Sequence, residues 1–476
     1  MKANFHLSMI WLHRWSGLIF GWALYVIALT GTVVVFSDEI SVWMQPELPA
    51  NTVAVEQALI TAQTHLQRAA PVAEFWSITP SAHHGGVTIA WAGADSAGND
   101  RGDNALFDAV TGAVVAARDS HGTEPLVDLH FRLHSGPVGM WIVASAGMVM
   151  LLGLVTGVIV HRRIFRDFFM FRIGKGQRSW LDAHNIAGVL TLPFQFVIAF
   201  TGLMIFPVLL MPGALQAGYG GDRAAYVSDW YLPTQREASG MSAPLAPLLP
   251  MLAAAEHQLG GRIEQIAVAH PGDAAAIVTF WRGTDDRLSM MADWAAFDGP
   301  SGRMLASQTR YPPGIETSGV MVGLHFAKFG GAWTRWLYFF SGLASTALIA
   351  TGLLLWTVKR GPESGKGLVA ALNLATIAGL PMAIAAYFAA NRLLPVDLTE
   401  RGEWEIRILF LSWAACLGWA LMHNRWASWA GMMLGAAFLL GIATILGGTG
   451  PVTLSLALSA VALGTTGLLL IRGARA

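Results

Sequence analysis

LHFRLHSGPVGMW (129–141) and LHFAKFGGAWTRW (324–336) are two copies of one stretch. Leu129, His130, Phe131, Gly136 and Trp141 recur as Leu324, His325, Phe326, Gly331 and Trp336, each 195 residues later. Gly147 recurs as Gly342, and Thr156 with Gly157 as Thr351 with Gly352, at the same offset. A second set is related in the same way: His13, Gly17, Thr30 and Gly31 recur as His184, Gly188, Thr201 and Gly202, 171 residues on. FDAVTG (107–112) returns as FDGPSG (297–302), 190 residues on. Self-similarity at a fixed offset marks a duplicated structural unit. The unit reads as helix, outer domain, helix, present twice in parallel orientation. Parallel repeats are related by an axis along the membrane normal, which predicts a four-helix core of approximate two-fold symmetry.

The helices of that unit are apolar runs. Eight runs are long enough to cross a bilayer, at roughly 14–37, 137–160, 184–210, 331–357, 368–390, 404–422, 427–446 and 452–471. Only GGTGP (447–451) separates the last two, as in a helical hairpin. The chain is 54% hydrophobic and 13% charged, too few charges to clothe a soluble surface. Its 19 Trp suit membrane interfaces. The formal net charge is zero, so no basic excess points to nucleic acid. The one cysteine, Cys416, leaves no partner for an intramolecular disulfide, no CxxCH and no Cys cluster for zinc or iron–sulfur. Lys2, His13 and Arg14 precede the first run, and no small-residue cleavage site follows it, so it is read as an uncleaved anchor.

Charge orients the spans. HRRIFRDFFMFRIGKGQR (161–178) carries Arg162, Arg163, Arg166, Arg172, Lys175 and Arg178 against Asp167 alone. Lys359, Arg360 and Lys366 mark a second basic loop. Basic short loops stay inside, which puts the N-terminus inside and both long segments outside. The expected organisation is a first span within 1–37, an outer domain over 38–130, a second span over 131–163 and an inner basic loop over 164–183. A third span follows over 184–211, a second outer domain over 212–325, a fourth span over 326–360, and a four-helix extension outside the repeat over 361–476. Each outer segment opens on a helical pattern, VEQALITAQTHLQ (55–67) and LAPLLPMLAAAEHQLG (245–260). Each continues with alternating runs such as GGVTIAWAG (85–93) and AAAIVTFWRG (274–283). One helix on a small antiparallel sheet, twice, is the expected α+β architecture.

Histidine is a metal ligand, and an ionisable residue inside a membrane segment signals function by default. His13 and His184 start the first and third spans on the inner side, and His161 ends the second there. His130 and His325 precede the second and fourth spans on the outer side, with His134 close by. Two histidines facing each other across a bundle core suit a b-type haem, so two stacked haems are expected, one per leaflet. The broad porphyrin needs small neighbours. Gly17 and Gly188, on the helix faces of His13 and His184, supply them or serve close helix packing. The Thr-Gly pairs are further thin places. Asp182 reads either as an orienting partner of His184 or as a helix N-cap. The arginines after His161 meet haem propionates or simply set topology. Trp230, Tyr231 and Trp294 stack a ligand or fill a sheet core. The C-terminal charges (Arg392, Asp397, Glu400, Arg401, Glu403, Glu405 and Arg407) gather in one outer loop and define no site. No Walker loop, no GxGxxG between strand and helix, no HExxH and no GxSxG appears, so a nucleotide or flavin site is not visible and electrons need an outside donor.

LHRWSGL (12–18), LHFRLHSG (129–136), TGVIVHRR (156–163), LDAHNIAG (181–188) and LHFAKFGG (324–331) together resemble the PepSY-associated transmembrane-helix family. The outer segments, with FDAVTG and FDGPSG, look like PepSY domains. The resemblance covers about residues 1–360. It implies a bacterial inner-membrane protein with two periplasmic PepSY-like domains and two b haems, similar to ferric-siderophore reductases such as a ferrioxamine reductase. Such a protein would take electrons from a cytoplasmic-side reductase or quinol and pass them to a ferric siderophore or other ferric chelate outside. Carried over residue by residue, His13, His184 and His161 supply the inner haem's ligands, two of the three binding, and His130 and His325 the outer haem's. The four C-terminal helices depart from the shorter members. Two other functions compete: a PepSY-based envelope binding or regulatory protein with no redox activity, and a metal transporter.

Overall fold

The computed structural model describes residues 2–71, 73–93, 103–161, 170–172, 174–206, 212–225, 235–358, 367–423 and 426–475. Trp230, Tyr231, most of the first basic loop and the lysine–arginine group after 358 lie outside them. The chain divides into two compact units: residues 1–45, 118–203 and 332–476 in one, 46–117 and 204–331 in the other.

The first unit is helical. Helix α1 (Lys2–Val33) runs through a 3₁₀ turn (Val34–Phe36) into α2 (Ser37–Met44). Helix α4 (Glu124–Arg132) turns through Leu133 and His134, both at φ 51°, into α5 (Gly136–Val160). The third span is a bent pair, α6 (Gln177–Leu190) and α7 (Leu192–Met204), broken by 65° at Thr191. Next in this unit come α11 (Gly331–Val358), α12 (Leu368–Ile377), α13 (Gly379–Leu393), α14 (Arg401–Met422), α15 (Trp426–Leu446) and α16 (Pro451–Arg475). Among the described residues, seven helical stretches are long and apolar enough to cross a membrane, and the bent pair makes an eighth. The bend departs from the single straight run that hydropathy suggests. Thr191 and Gln195, both buried, bond to each other at the break, where Thr191 Oγ1 also donates to the Ala187 carbonyl at 2.7 Å.

The C-terminal helices are fastened to the duplicated core. The span made of α12 and α13 is the most buried one in the unit. Asn373, 1% exposed, accepts from Trp22 Nε1 at 2.9 Å and donates to the Leu353 carbonyl at 3.0 Å, so it ties α12 to α1 and α11. Tyr25 donates to the Ile377 carbonyl at 3.0 Å. Leu18, Tyr25 and Val26 share one apolar cluster with Ile377, Leu380 and Leu440.

The C-terminal charges expected in a solvated loop separate instead. Arg401 and Glu405 are both 0% exposed and paired one turn apart at the start of α14. Arg401 also donates to the carbonyls of Asn391 (2.5 Å), Asp119 (3.1 Å) and Pro395 (3.2 Å). Glu405 accepts from Ser120 Oγ at 2.7 Å and Asn391 Nδ2 at 2.8 Å. Tyr387 donates to the Gly122 carbonyl at 2.5 Å. The segment 118–122, which leads into α4, is therefore held by the extension. A desolvated charge is tolerable only when paired and fully hydrogen-bonded, as here.

The second unit is a seven-stranded antiparallel sheet with helices α3 (Val55–Ala69) and α9 (Leu248–Leu259) packed on it; it also contains α8 (Pro212–Tyr219) and α10 (Pro313–Phe326). The strands are β1 (Phe75–Pro80), β2 (Gly86–Ala92), β3 (Asp103–Asp108), β4 (Ile263–Ala269), β5 (Ile277–Arg282), β6 (Trp294–Asp298) and β7 (Met304–Gln308), in the order β3-β2-β1-β4-β5-β6-β7. Each half has the expected helix and strands, but the two sheets are one. β1 and β4 pair antiparallel, with Trp76 opposite Val268 and Ile78 opposite Ile266. The alternation of β1 puts Trp76 and Ile78 inside with Leu59, Leu66 and Leu252. The duplication survives in detail: Phe107 bridges Val114, and Phe297 pairs with Met304 190 residues on. Trp294, 7% exposed, packs with Ile277 and Ala296 on the opposite face, which makes it core.

The two FD turns close on their aspartates. Backbone N–H groups of Thr111 and Val110 donate to Asp108, and Thr111 foremost holds its carboxyl below the ordinary range. The Ser301 hydroxyl and then the Arg236 guanidinium (2.7 Å) do the same for Asp298. Depressed values place this stabilisation above the unfolded carboxylate pKa of about 4, and it is lost as pH falls through the folded values. Melting the purified chain between about pH 3 and about pH 6, followed by tryptophan fluorescence, is expected to show a shallower pH dependence for the Asp108→Asn/Asp298→Asn variant than for the wild type. In the helical unit, Glu405→Ala strands the Arg401 charge and is expected to cost about 3–5 kcal/mol in detergent melts. Replacing both by apolar residues of similar volume should recover most of that loss.

Candidate cofactor site

Three helices carry the inner histidines. His13 sits near the start of α1, His184 midway along α6, and His161 caps the end of α5, its N–H bonded to the Gly157 carbonyl at 3.0 Å. The His13 and His184 rings lie 6.4 Å apart, centroid to centroid, with planes inclined by 75°. His161 acts electrostatically on both. Of the three inner histidines expected together, His13 and His184 face each other, and His161 stands near them without completing a three-donor group.

Each of the two facing rings is seated by the partner helix of its own repeat. His13 Nδ1 lies 3.0 Å from Thr156 Oγ1, and His184 Nδ1 lies 3.3 Å from Thr351 Oγ1. His184 Nδ1 also lies 3.0 Å from the Leu348 carbonyl, and His13 bonds to the backbone of Gly153, the same position one repeat earlier. Next to each threonine stands a glycine, and at Gly352 the ring leaves little room for a side chain. A Cβ on Gly157 would sit 3.4 Å from His13 Cε1, and one on Gly352 3.1 Å from His184 Cε1. Thr156 with Gly157 and Thr351 with Gly352 thus seat His13 and His184.

The hydrogen bonds fix the tautomer. A carbonyl only accepts, so His184 donates from Nδ1. Thr156 spends its own proton on the Leu152 carbonyl at 2.8 Å, so it accepts from His13 Nδ1–H. Both rings keep Nε2 as the nitrogen with a free lone pair, the form that binds iron. A metal-ligating histidine characteristically gives its other N–H to such a group.

His130, in the last turn of α4, repeats the pattern: Nδ1 donates to the Ile27 carbonyl of α1 at 2.8 Å, and a Cβ on Gly31 would come 2.6 Å from its Cε1. Ile27 lies fourteen residues beyond His13, about 21 Å along the helix, so the histidines form two tiers. His325 ends α10 in the other unit, with its ring 6.1 Å from Phe326. His134 is engaged elsewhere: its Nδ1 meets Asp128 at 2.9 Å, alongside Arg132, and its ring leans on Phe410. Trp356, the repeat counterpart of His161, packs against Trp15 and under Arg14. Asp182 takes neither expected role. It accepts two bonds from the Arg172 guanidinium (2.6 and 2.8 Å) and one from the Arg172 N–H, and so pins residue 172 to α6. Sequence reading missed Thr156 and Thr351 as ring partners, although their recurrence beside Gly157 and Gly352 was the signal.

Two imidazoles that share one iron, each nitrogen about 2.0 Å from it and each ring centroid about 1.1 Å behind, would stand up to about 6.2 Å apart. The His13–His184 spacing lies close to that limit. A Cβ on Gly17, one turn beyond His13, meets nothing within 4 Å, so space adjoins the pair, whereas one on Gly188 meets Leu348 at 3.3 Å. Among the described residues no group of three or more His, Cys, Asp or Glu is arranged to hold a bare metal ion.

A multi-span helical protein with paired intramembrane histidines and a duplicated sheet domain is the class these observations define. The chain belongs to the PepSY-associated TM region family, which matches residues 10–359. Over 331 residues it is 28% identical to Uncharacterized protein PA4219 of Pseudomonas aeruginosa, covering 65% of this chain and 82% of that one. The family match stops just after α11, so α12–α16 lie beyond it.

The seats are directly testable on one helix. Gly31→Ala drives a methyl into His130 and is expected to cost about 1–3 kcal/mol of stability in detergent. Gly17→Ala, in open space, should cost nothing and gain up to about 1 kcal/mol of helix propensity. Equal effects from the two would remove the close-approach account of Gly31.

Proposed function

We propose that this protein is a two-haem electron conduit of the bacterial inner membrane that reduces a ferric chelate, such as a ferric siderophore, in the periplasm. The observation that carries the reading is the His13–His184 pair, spaced for one iron and held by the same partners in both repeats. His13 and His184 would hold one b haem, with His161 beside them, and the duplication assigns His130 and His325 to a second. Bound there, haem supplies one-electron exchange between ferric and ferrous iron.

The chain's own residues do the rest. Thr156, Thr351 and the carbonyls of Leu348 and Ile27 face Nδ1 of His13, His184 and His130 and fix each ring's orientation. The N-terminus is cytoplasmic in this reading, and the sheet unit is periplasmic. Electrons enter from a cytoplasmic-side reductase or quinol, one for each ferric ion reduced to ferrous iron. Ferrous iron binds hard oxygen donors less tightly, which releases it. A metal-transit site would need several converging donors, which the described residues lack, and a purely binding role gives the tethered histidines no purpose.

The test is the absorption spectrum of the purified protein before and after dithionite. Sharp reduced b-type bands at about two haems per chain are expected, reoxidised by a ferric siderophore. His184→Ala should keep about one haem, lost from the cytoplasmic side. A colourless wild type from haem-replete cells would reject the reading.

A further inference from the structure

The second half of the sheet unit carries an open pocket of about 500 Å³. Arg287, Ser289 and Asp293 form one wall; Arg310, Tyr311 and Glu316 form the other. The first wall is braced. Arg287 Nη1 meets Asp293 at 2.7 Å, and its Nη2 donates to the Met291 carbonyl. Tyr311 donates to the Ala292 carbonyl at 2.7 Å. The second wall keeps two charges in hand: Arg310 and Glu316 make no ion pair among the described residues.

The cavity adjoins the helix that ends in His325. The Met290 N–H donates to the Gly319 carbonyl of α10 at 3.1 Å. A Cβ on Gly319 would come 2.5 Å from Met291 Cγ, and one on Gly323 would collide with the Leu288 carbonyl. Glycine on that face lets the cavity's wall lie directly along α10. Glu316 and His325 are nine residues apart on this helix, about 13 Å.

The lining charges balance, two arginines against an aspartate and a glutamate. A polyanion gains little from such a surface. A compact complex with an oxygen face for the guanidiniums and hydroxyls, and N–H groups for Glu316, gains most. We propose that this cavity docks an oxygen-donor ferric chelate of low net charge, with Arg310 and Glu316 selecting it. The assignment rests on the ferric-chelate reading above and gives that reading its docking site.

Gallium(III) tris(acetohydroxamate) is neutral, like its ferric counterpart, and is not reduced, so it reports docking without electron transfer. Its binding to the full-length haem-loaded protein in detergent can be measured by titration calorimetry. Wild type is expected to bind it. Arg310→Ala and Glu316→Ala should each weaken binding about tenfold or more with haem absorbance unchanged. The trianionic gallium tris-catecholate should bind wild type more weakly. No binding to wild type, equal binding by both variants, or tighter binding of the trianion overturns the assignment. Reoxidation of the reduced protein by the ferric chelate is scored separately. Gallium binding without reoxidation sinks the reductase reading and keeps the docking site; reoxidation with gallium binding unaltered by the variants sinks the site alone.

Discussion

An imidazole buried among transmembrane helices must give its N–H to something, because lipid offers no acceptor. Here the acceptor is a backbone carbonyl, or a threonine already tied to one, on a neighbouring helix. That demand dictates much else. A helix that lends a carbonyl to a ring must let the ring close against its backbone, so glycine stands at 31 and 352, where a Cβ would crowd the ring. The ring that makes the bond is fixed in rotation and tautomer. Close approach, helix pairing and ligand readiness are thus consequences of one hydrogen bond, repeated.

Much of this was legible in the sequence because the duplication wrote it twice. His13 and His184 share an offset with Gly17 and Gly188, and Thr156 and Thr351 share one with Gly157 and Gly352. Family membership, the spans, and the helix-plus-strands content of each half followed from patterns of this kind. What escaped lies between elements. Hydropathy sees an apolar run at 184–210 and not the 65° break at Thr191. Alternation finds β2 and β5 but says nothing of the β1–β4 pairing, which joins two segments nearly two hundred residues apart. Arg401 and Glu405 resemble any solvated charges near a helix start; only the segment 118–122 folding over them shows that they are interior. Asp182 sits two residues before His184 and still serves Arg172, since sequence proximity does not give direction.

The extension also acquires a role from these contacts. It grips the segment that leads into α4, and α4 carries His130. Charge burial at Arg401 makes the grip brittle in a useful sense, since it is either complete or costly.

The β1–β4 seam has a bearing on biogenesis. Between these strands the chain runs through α5 and the bent pair, so two membrane insertions separate the first strand from its partner. During synthesis β1 emerges with one edge unsatisfied and waits until the later half arrives. An open edge invites pairing with other chains. Until β4 is made, that edge must be kept from pairing with other chains.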